Sequence, residues 1–336
     1  MEKKTRAKYI SEDTFFKLKC TEIFPGDILV SRLPEPVGRA CIVPEKSERM
    51  ITAVDCTICR PNESLINKEY LCYFMRSNTY YTRLLGNLVG TTRKRISRKN
   101  LGNVELDVPP KGEQMKMVEQ LDHIVKVIQL RRDELQKLDN LIKARFVEMF
   151  GDPVANEKGW DTSTVEDACS EIYGGGTPSK SHPEYYENGN IPWVSSKDMK
   201  SDVLYGSQIY INQLGVDNST AKMVPVNSLI MVIRSGILKH TLPVAINAVP
   251  ITVNQDLKVF IPSERILARF MAVQFKMHEK DILTGVRAVT ADNIEFNSLK
   301  QRLIIMPPIE AQLRFVEFCE QVNKSKVVVS NTLYYN

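Results

Sequence analysis

Leu101-Gly102-Asn103-Val104-Glu105-Leu106-Asp107-Val108-Pro109-Pro110-Lys111-Gly112-Glu113-Gln114 leads into Val118, Leu121 and Ile124. Near the other end, Leu299-Lys300-Gln301-Arg302-Leu303-Ile304-Ile305-Met306-Pro307-Pro308-Ile309-Glu310-Ala311-Gln312 leads into Val316, Cys319 and Val322. In both stretches an apolar strand ends at a proline pair and a helix starts after it. The two stretches lie a domain's length apart, so the chain carries two copies of one unit. Two similar units on one chain suit contact with a partner at two places. That favours a reader of a two-part target over an enzyme with one pocket.

Further matches extend the repeat. Lys8-Tyr9-Ile10-Ser11 lines up with Ile209-Tyr210-Ile211-Asn212. Phe24-Pro25-Gly26-Asp27-Ile28-Leu29-Val30-Ser31-Arg32 lines up with Val224-Pro225-Val226-Asn227-Ser228-Leu229-Ile230-Met231, continuing to Arg234-Ser235. Nothing before Lys8 corresponds to Trp160 through about Ser207, so the first copy starts late. The second copy stops early, because its helix ends at Asn336 while the first copy's helix continues to Phe150.

That first helix is the clearest element. Leu121, Ile124, Ile128, Leu135, Leu138 and Ile142 alternate steps of three and four, with the register passing through Arg131. This is a heptad seam, and it calls for a partner helix along its length. At 1.5 Å per residue the helix would be roughly 55 Å long. Gly151-Asp152-Pro153 is expected to stop it. Such a rod is a poor catalytic element and a good spacer or docking surface.

Residues 1–108 read as strands and loops with one helical insert. Asp27 to Ser31, Ala40 to Val43 and Met50 to Cys59 have strand patterns, and Lys68 to Leu85 has helical spacing. Gly86 to Asn100 reads as a loop. Residues 152–308 read as a fuller version of the same unit, with strands at Ser228 to Arg234 and Leu257 to Ile261 and a helix at Ile266 to Phe275. The domains expected are 1–108, a helix over 109–151, a second domain over 152–308 and a second helix over 309–336.

The 336 residues carry a formal net charge of +5, unevenly spread. No acid occurs between Glu69 and Glu105, while Arg76, Arg83, Arg93, Lys94, Arg95, Arg98 and Lys99 all do. Such a block suits phosphates, although a solvated face would read the same way. The charged N-terminus leads into no apolar segment, which argues against a signal peptide. The longest apolar runs are too short to cross a bilayer. Among the seven cysteines, Cys56-Thr57-Ile58-Cys59 is a lone C-x-x-C pair with no second pair or nearby His to complete a zinc site. Small strand residues kept reduced in the cytoplasm account for it.

Catalytic patterns are missing. Gly174-Gly175-Gly176-Thr177-Pro178-Ser179 lacks the Gly-Lys-Ser/Thr ending of a phosphate loop, and no G-x-G-x-x-G follows a strand. Val108-Pro109-Pro110 and Met306-Pro307-Pro308 lack the side-chain acceptor of an Asn/Asp-Pro-Pro-aromatic methyltransferase segment. The four His are dispersed. A non-catalytic chain is expected.

Nucleic-acid contact fits what is present. Thr91, Thr92, Arg93, Lys94, Arg95, Ser97, Arg98 and Lys99 offer hydroxyls and cations in one loop. Gly175, Gly176 and Thr177 read equally as a tight turn or as a place where backbone meets DNA closely. Trp193 is expected in the core, with Ser195, Ser196 and Lys197 beyond it as contacts. Arg234, Ser235, Lys239 and His240 follow a strand into a loop, as Arg32 does in the first unit. Arg287 and Thr290 stand where the second unit would have its basic loop, with far less charge, so the two units would read different sequences.

These features together resemble the specificity subunit of type I restriction-modification systems, over nearly the whole chain. The motifs are Gly175 to Ser179, Ile191-Pro192-Trp193 with Ser195-Ser196-Lys197-Asp198, Gly26 to Leu29 with Ser31-Arg32, Gly90 to Ser97, and the doubled strand-Pro-Pro junction. The resemblance implies an α+β chain with two mixed α/β target recognition domains. Long helices forming an antiparallel coiled coil would separate them and set the gap in a bipartite site on double-stranded DNA. It implies modification (methyltransferase) subunits docking on the helices, where Leu121, Ile124, Ile128, Leu135, Leu138 and Ile142 would serve, and a restriction (translocase/endonuclease) subunit. S-adenosylmethionine, ATP and magnesium would belong to those partners, this chain holding no cofactor or metal and touching no membrane. Against that pattern the first recognition domain lacks its front part. The second spacer helix is short and would leave much of the seam from Leu135 to Ile142 without a partner. A truncated or rearranged copy, such as one cassette of a shuffled locus, is the corresponding expectation. A protein-binding scaffold that no longer reads DNA is the alternative function, and a small-ligand enzyme is a third.

Overall fold

The structure, a computed structural model, describes residues 8–33, 37–86, 88–89, 95–285, 287–288 and 292–334. The chain divides into two compact units, Met1–Leu130 and Arg131–Asn336.

The first unit is built on a three-stranded antiparallel sheet with Ile28–Ser31 in the middle, flanked by Ala40–Ile42 and Cys56–Cys59. Ile28 and Val30 are buried while Leu29 and Ser31 are only partly so, the alternation of a sheet with one covered face. Ile28 and Val30 join Leu71, Cys72, Tyr80, Leu84, Ile96 and Leu101 in one core. Cys56 and Cys59 stand three apart on one strand. Their side chains therefore leave by opposite faces and cannot share a metal ion.

Three expectations need correction here. Met50 to Cys59 is not one strand: Met50–Ile51 and Cys56–Cys59 are separated by a turn in which the Cys56 amide donates to the Ala53 carbonyl. Asp55 lies in that turn. Lys68 to Leu85 is two helices, Lys68–Phe74 and Asn78–Leu85, because the Ser77 side chain caps the second by accepting from the Tyr80 amide at 3.2 Å. Gly86 to Asn100, read as loop, contains the paired strands Leu88–Val89 and Arg95–Ile96 and the start of a short helix, Arg98–Gly102.

The second unit repeats the plan with more cover. Leu229–Val232 is the central strand, antiparallel to Val244–Asn247 and Leu257–Pro262, and two outer strands, Val203–Leu204 and Cys169–Gly174, complete a five-stranded sheet. All four residues of Leu229–Val232 have no solvent exposure, so both sheet faces are covered and the strand reads as a continuous apolar run. The Ala268–Met277 helix packs against this sheet. A smaller sheet, Tyr210–Ile211 with Ile191–Val194 and Thr252–Val253, carries Trp193 into a satellite core with Ile211 and Ala221, as expected for that tryptophan.

The registers coincide. Ile28 faces Ile42 and Cys59, and Leu229 faces Ile246 and Phe260. The proline-pair junction is repeated in its hydrogen bonds as well. Gln114 Oε1 accepts from the Asn67 amide at 2.7 Å, and its Nε2 donates to the carbonyls of Leu65 at 3.2 Å and Pro109 at 2.7 Å. Gln312 Oε1 accepts from the Leu267 amide at 2.9 Å, and its Nε2 donates to the carbonyls of Arg265 at 3.0 Å and Pro307 at 2.9 Å. Asn67 and Leu267 are the residues just before Lys68–Phe74 and Ala268–Met277. Each glutamine thus ties the start of a long helix to the start of the helix lying on its sheet.

The long helix spans Lys111–Phe150, beginning directly after Pro110, and the last helix spans Ile309–Tyr334, directly after Pro308. Gly151 ends the first as expected, with φ +78° and its amide donating to the Val147 carbonyl. In the second unit the two helices run antiparallel. Phe146 and Phe150 meet Phe315, Arg145 lies over the Phe318 ring, and Asp139 pairs with Lys326 at 2.6 Å. The seam expected to lack a partner therefore has one: Leu138 packs on the core and Ile142 is buried. The 26 residues of the last helix extend about 39 Å at the usual rise, enough to reach back past Asp139. Leu121 and Ile124 remain exposed, while Ile128 and Leu135 are partly buried. No helix among the described residues is long and apolar enough to cross a membrane.

Candidate nucleic-acid interface

In the second unit one turn, Asn254-Gln255-Asp256, gathers the expected contact residues. The Asn254 amide donates to the Val194 carbonyl at 2.9 Å, which brings Ser195, Ser196 and Lys197 alongside. Gln255 Oε1 accepts from the Thr177 hydroxyl. Asp256 Oδ1 accepts from Arg234 Nε at 2.7 Å and lies 2.6 Å from its Nη2. Four separate segments so meet at one end of the sheet. None of the three turn residues was singled out from the sequence.

Most of the polar candidates already have protein partners. Ser195 gives its hydroxyl to Asp198 Oδ2 at 2.8 Å and its amide to the same oxygen at 2.9 Å, closing a tight Asx-type loop. The Ser235 hydroxyl accepts from the Ile237 amide, and its own amide donates to the Asp292 carbonyl at 3.0 Å. Lys239 lies 3.5 Å from the buried Asp292 carboxylate. Ser196 is half-buried and Lys197 is exposed. The Lys197 ammonium has no ion-pair partner among the described residues.

Gly175 and Gly176 serve packing within the unit. A Cβ on Gly175 would stand 2.0 Å from the Val253 carbonyl oxygen, and one on Gly176 would stand 2.3 Å from the Ala221 amide nitrogen. The Gly176 carbonyl accepts from Trp193 Nε1 at 2.9 Å. The room these glycines leave is filled by protein backbone, neither having positive φ. Beside them, Lys258 stands over the Phe296 ring. Burial, helped by the neighbouring Lys300, holds its ammonium below the ordinary lysine range.

In the first unit the corresponding turn holds Asp55. The Arg32 amide donates to the Asp55 carbonyl at 2.8 Å, and Asp55 Oδ1 forms an ion pair with Arg95 Nη2 at 2.9 Å. This is a charge contact rather than an aligned hydrogen bond, since Asp55 Oδ1 and Arg95 Nε both lack a hydrogen-bond partner. Arg32 is half-buried, with Nε donating to the Ile96 carbonyl at 3.1 Å and Nη1 to the Val54 carbonyl at 3.3 Å. Arg98 and Lys99 are exposed on the helix capped by Ser97 and have no ion-pair partner among the described residues. Thr91, Thr92, Arg93 and Lys94, and Thr290 in the other unit, lie outside the described residues. Arg287 pairs through its backbone with Asn293, and its side chain lies outside them too. Arg60 is a structural cation: with Asp27 it forms two bonds of 2.7 and 2.8 Å and holds that buried carboxyl below its usual range.

On the long helix, the Asp122 carboxylate accepts from the Tyr73 hydroxyl and, with burial, pushes that phenol up to about 12. The turns at Asp55 and Asp256 could have been found from the repeat, because each stands immediately before equivalent strands.

The family model for the type I restriction modification DNA specificity domain matches the chain in two stretches, residues 3–140 and 157–333. The specificity subunit of the type I restriction enzyme EcoR124I/EcoR124II from Escherichia coli is 41% identical over 154 residues, covering 44% of this chain and 37% of that protein. The specificity subunit of the type I restriction enzyme MjaIX from Methanocaldococcus jannaschii is 24% identical over 306 residues, covering 85% of this chain and 68% of that one. Among solved structures, the type I restriction-modification S subunit from M. genitalium superposes with a TM-score of 0.51 at 12% identity, over 93% of this chain and 80% of that chain. A chain from a study of complex assembly and conformational transition in a type I R-M system gives 0.52 at 18% identity, over 93% and 77%. Each copy of the internal repeat takes one stretch of the match, and the chain belongs to the type I restriction modification DNA specificity domain family.

Proposed function

We propose that this chain is the DNA sequence-recognition subunit of a type I restriction-modification complex, reading a bipartite site on double-stranded DNA. The observation that carries the reading is the doubled unit. The same antiparallel strands, the same glutamine clasp and the same acid-bearing turn occur twice, each turn gathering Arg and polar side chains at one end of its sheet. Recognition would belong to residues 1–108 and 152–308, and spacing to the helices over 109–151 and 309–336. The long helix, with Leu121 and Ile124 exposed, would dock modification subunits, and a restriction subunit would join them. Those partners would supply methyl transfer from S-adenosylmethionine and the steps needing ATP and magnesium, and the cytoplasm, where the DNA lies, would be the setting.

The free cations Arg98, Lys99 and Lys197 suit phosphate binding. Removing a cation that neutralises one phosphate should lower the log-log salt slope of binding by about one. The test is duplex binding by the chain with a modification subunit, across a potassium chloride series, before and after changing these three to Ala. A slope smaller by about three supports the reading; an absence of salt-dependent binding in the unaltered protein rejects it and leaves the scaffold function.

A further inference from the structure

Asp55 and Asp256 occupy one position in the repeated fold. The turn before each is closed alike, Cys56 donating to the Ala53 carbonyl at 3.0 Å and Leu257 to the Asn254 carbonyl at 3.2 Å. Each aspartate's carbonyl accepts from the end of the central strand, from Arg32 at 2.8 Å and from Ile233 at 2.9 Å. That strand end in turn accepts from the following hairpin, Arg32 from Ile96 at 3.2 Å and Ile233 from Ile294 at 2.9 Å. Arg95 therefore corresponds to Asn293, and Arg234 to Leu33.

Both carboxylates hold an arginine, yet the arginines come from different strands. Arg95 reaches Asp55 from the hairpin, and Arg234 reaches Asp256 from the strand leaving the sheet. Arg234 and Asn293 are bridged partners across that same pair of strands. The acid stays while the source of its arginine changes. This separates the pair from incidental surface ion pairing, where neither member would recur at an equivalent place.

A guanidinium gripped on one edge by a carboxylate keeps N–H groups free on its other edge, in a fixed plane. That is the geometry for a two-bond contact with a guanine edge. Half-exposed Arg234, at 48% side-chain exposure, has that free edge, held through Nε and Nη2. Arg95, at 42%, meets Asp55 through Nη2 alone, as a charge contact that orients it less tightly. Their charge is offset by the acid, so they should add little to phosphate attraction. From these observations we infer that Asp55 and Asp256 are positioning residues for specificity: each seats one arginine that reads a base, while the unpaired cations hold the backbone. The inference rests on the DNA-recognition reading and adds a division of labour to it.

The experiment selects bound duplexes from a random pool, using the full chain with a modification subunit, and measures the salt slope of each variant. Asp256→Asn should cost about 5- to 150-fold in discrimination at one base position, the range of a bidentate contact. It should also steepen the salt slope, because it leaves Arg234 uncompensated. The double change Arg234→Gln with Asp256→Asn should lose the same base position while restoring the original slope. Asp55→Asn should act on a different base, in the other half of the site. An unchanged motif in Asp256→Asn, or a double variant that loses a further position, overturns the inference. Thermal melting separates misfolding from misaiming. If Asp256→Asn melts early, the charge-conserving double variant decides instead: an intact motif there overturns the inference, and loss of the one base position at an unchanged slope supports it. A wild-type chain that selects no motif fails the recognition reading itself, an outcome distinct from all of these.

Discussion

Gln114 and Gln312 make the same three hydrogen bonds, one in each copy of the repeat, and both are wholly buried. Each accepts the amide just before a sheet-covering helix and donates to two carbonyls that would otherwise face no partner. Replacing either with Leu keeps the volume and removes every bond. Buried backbone groups left unpaired should cost about 2–4 kcal/mol in the unit concerned. Denaturant unfolding of Gln114→Leu and Gln312→Leu checks this. A loss below about 0.5 kcal/mol, the level of an ordinary surface change, would show that water replaces the clasp.

Glycines 175 and 236 should respond oppositely to Ala. The first has backbone oxygen 2.0 Å from where a Cβ would stand, and the second has nothing within 4 Å. Forcing backbone apart should destabilise Gly175→Ala by about 2–4 kcal/mol, whereas Gly236→Ala should stay within about 0.5 kcal/mol of wild type. Thermal melts of the two variants give the comparison.

The two ends of the long helix should also separate. Ile142 is buried among the core residues of the second unit, and Leu121 and Ile124 are exposed. Ile142→Asp buries an unpaired charge and should cost about 3 kcal/mol or more. Leu121→Asp with Ile124→Asp should leave the melting temperature within a few degrees and abolish co-purification with a modification subunit. Retention of the complex in that double variant would remove this face from docking.

Acid should weaken the second unit through His278. Its ring is 2% exposed with Nε2 unpartnered, and burial, then Arg302, hold its pKa below the ordinary 6.5. A base held neutral by the fold contributes stability that is complete above the ordinary value and is lost as pH falls through the lowered one. Melting temperature should therefore drop between pH 7 and pH 5, and drop less in His278→Gln. Equal drops would place the acid sensitivity elsewhere.

The helix starts and glutamine clasps of the proline-pair junctions were legible because two copies of a local pattern confirm each other. The strand expected before each proline pair forms in the second copy, Leu303–Ile305 against Thr162–Thr164, and is absent from residues 103–110, which pair with no strand among the described residues. The break at Met75 to Ser77 was hidden because a single serine also fits the polar side of a helix, and only its cap bond to Tyr80 interrupts the pattern. The turn at Asp55 was hidden by Ala53 and Val54, which prolong the strand alternation across it. The candidate site was half legible. Its arginines, serines and lysines could be named from loop position and charge, whereas the acids could be placed only by following the repeat, and their pairing with particular arginines could not. Arg234 with Asp256 and Arg95 with Asp55 are joined by strand register, which local spacing does not carry. Gly175 and Gly176 were ambiguous for a related reason: the backbone filling their space lies at residues 220–221 and 253–254, far along the chain.

Phe146 and Phe150 close the long helix, and their rings meet Phe270 and Phe315 at 5.0 to 5.7 Å between centroids. The rod is therefore also the floor of the unit that follows it. A chimera spliced at Gly151 would transplant that unit with its floor missing. A graft joined upstream of Leu138 would carry its whole aromatic footing into a new host. The splice point that keeps this unit whole lies inside the helix, about three and a half turns before the loop that looks like the border.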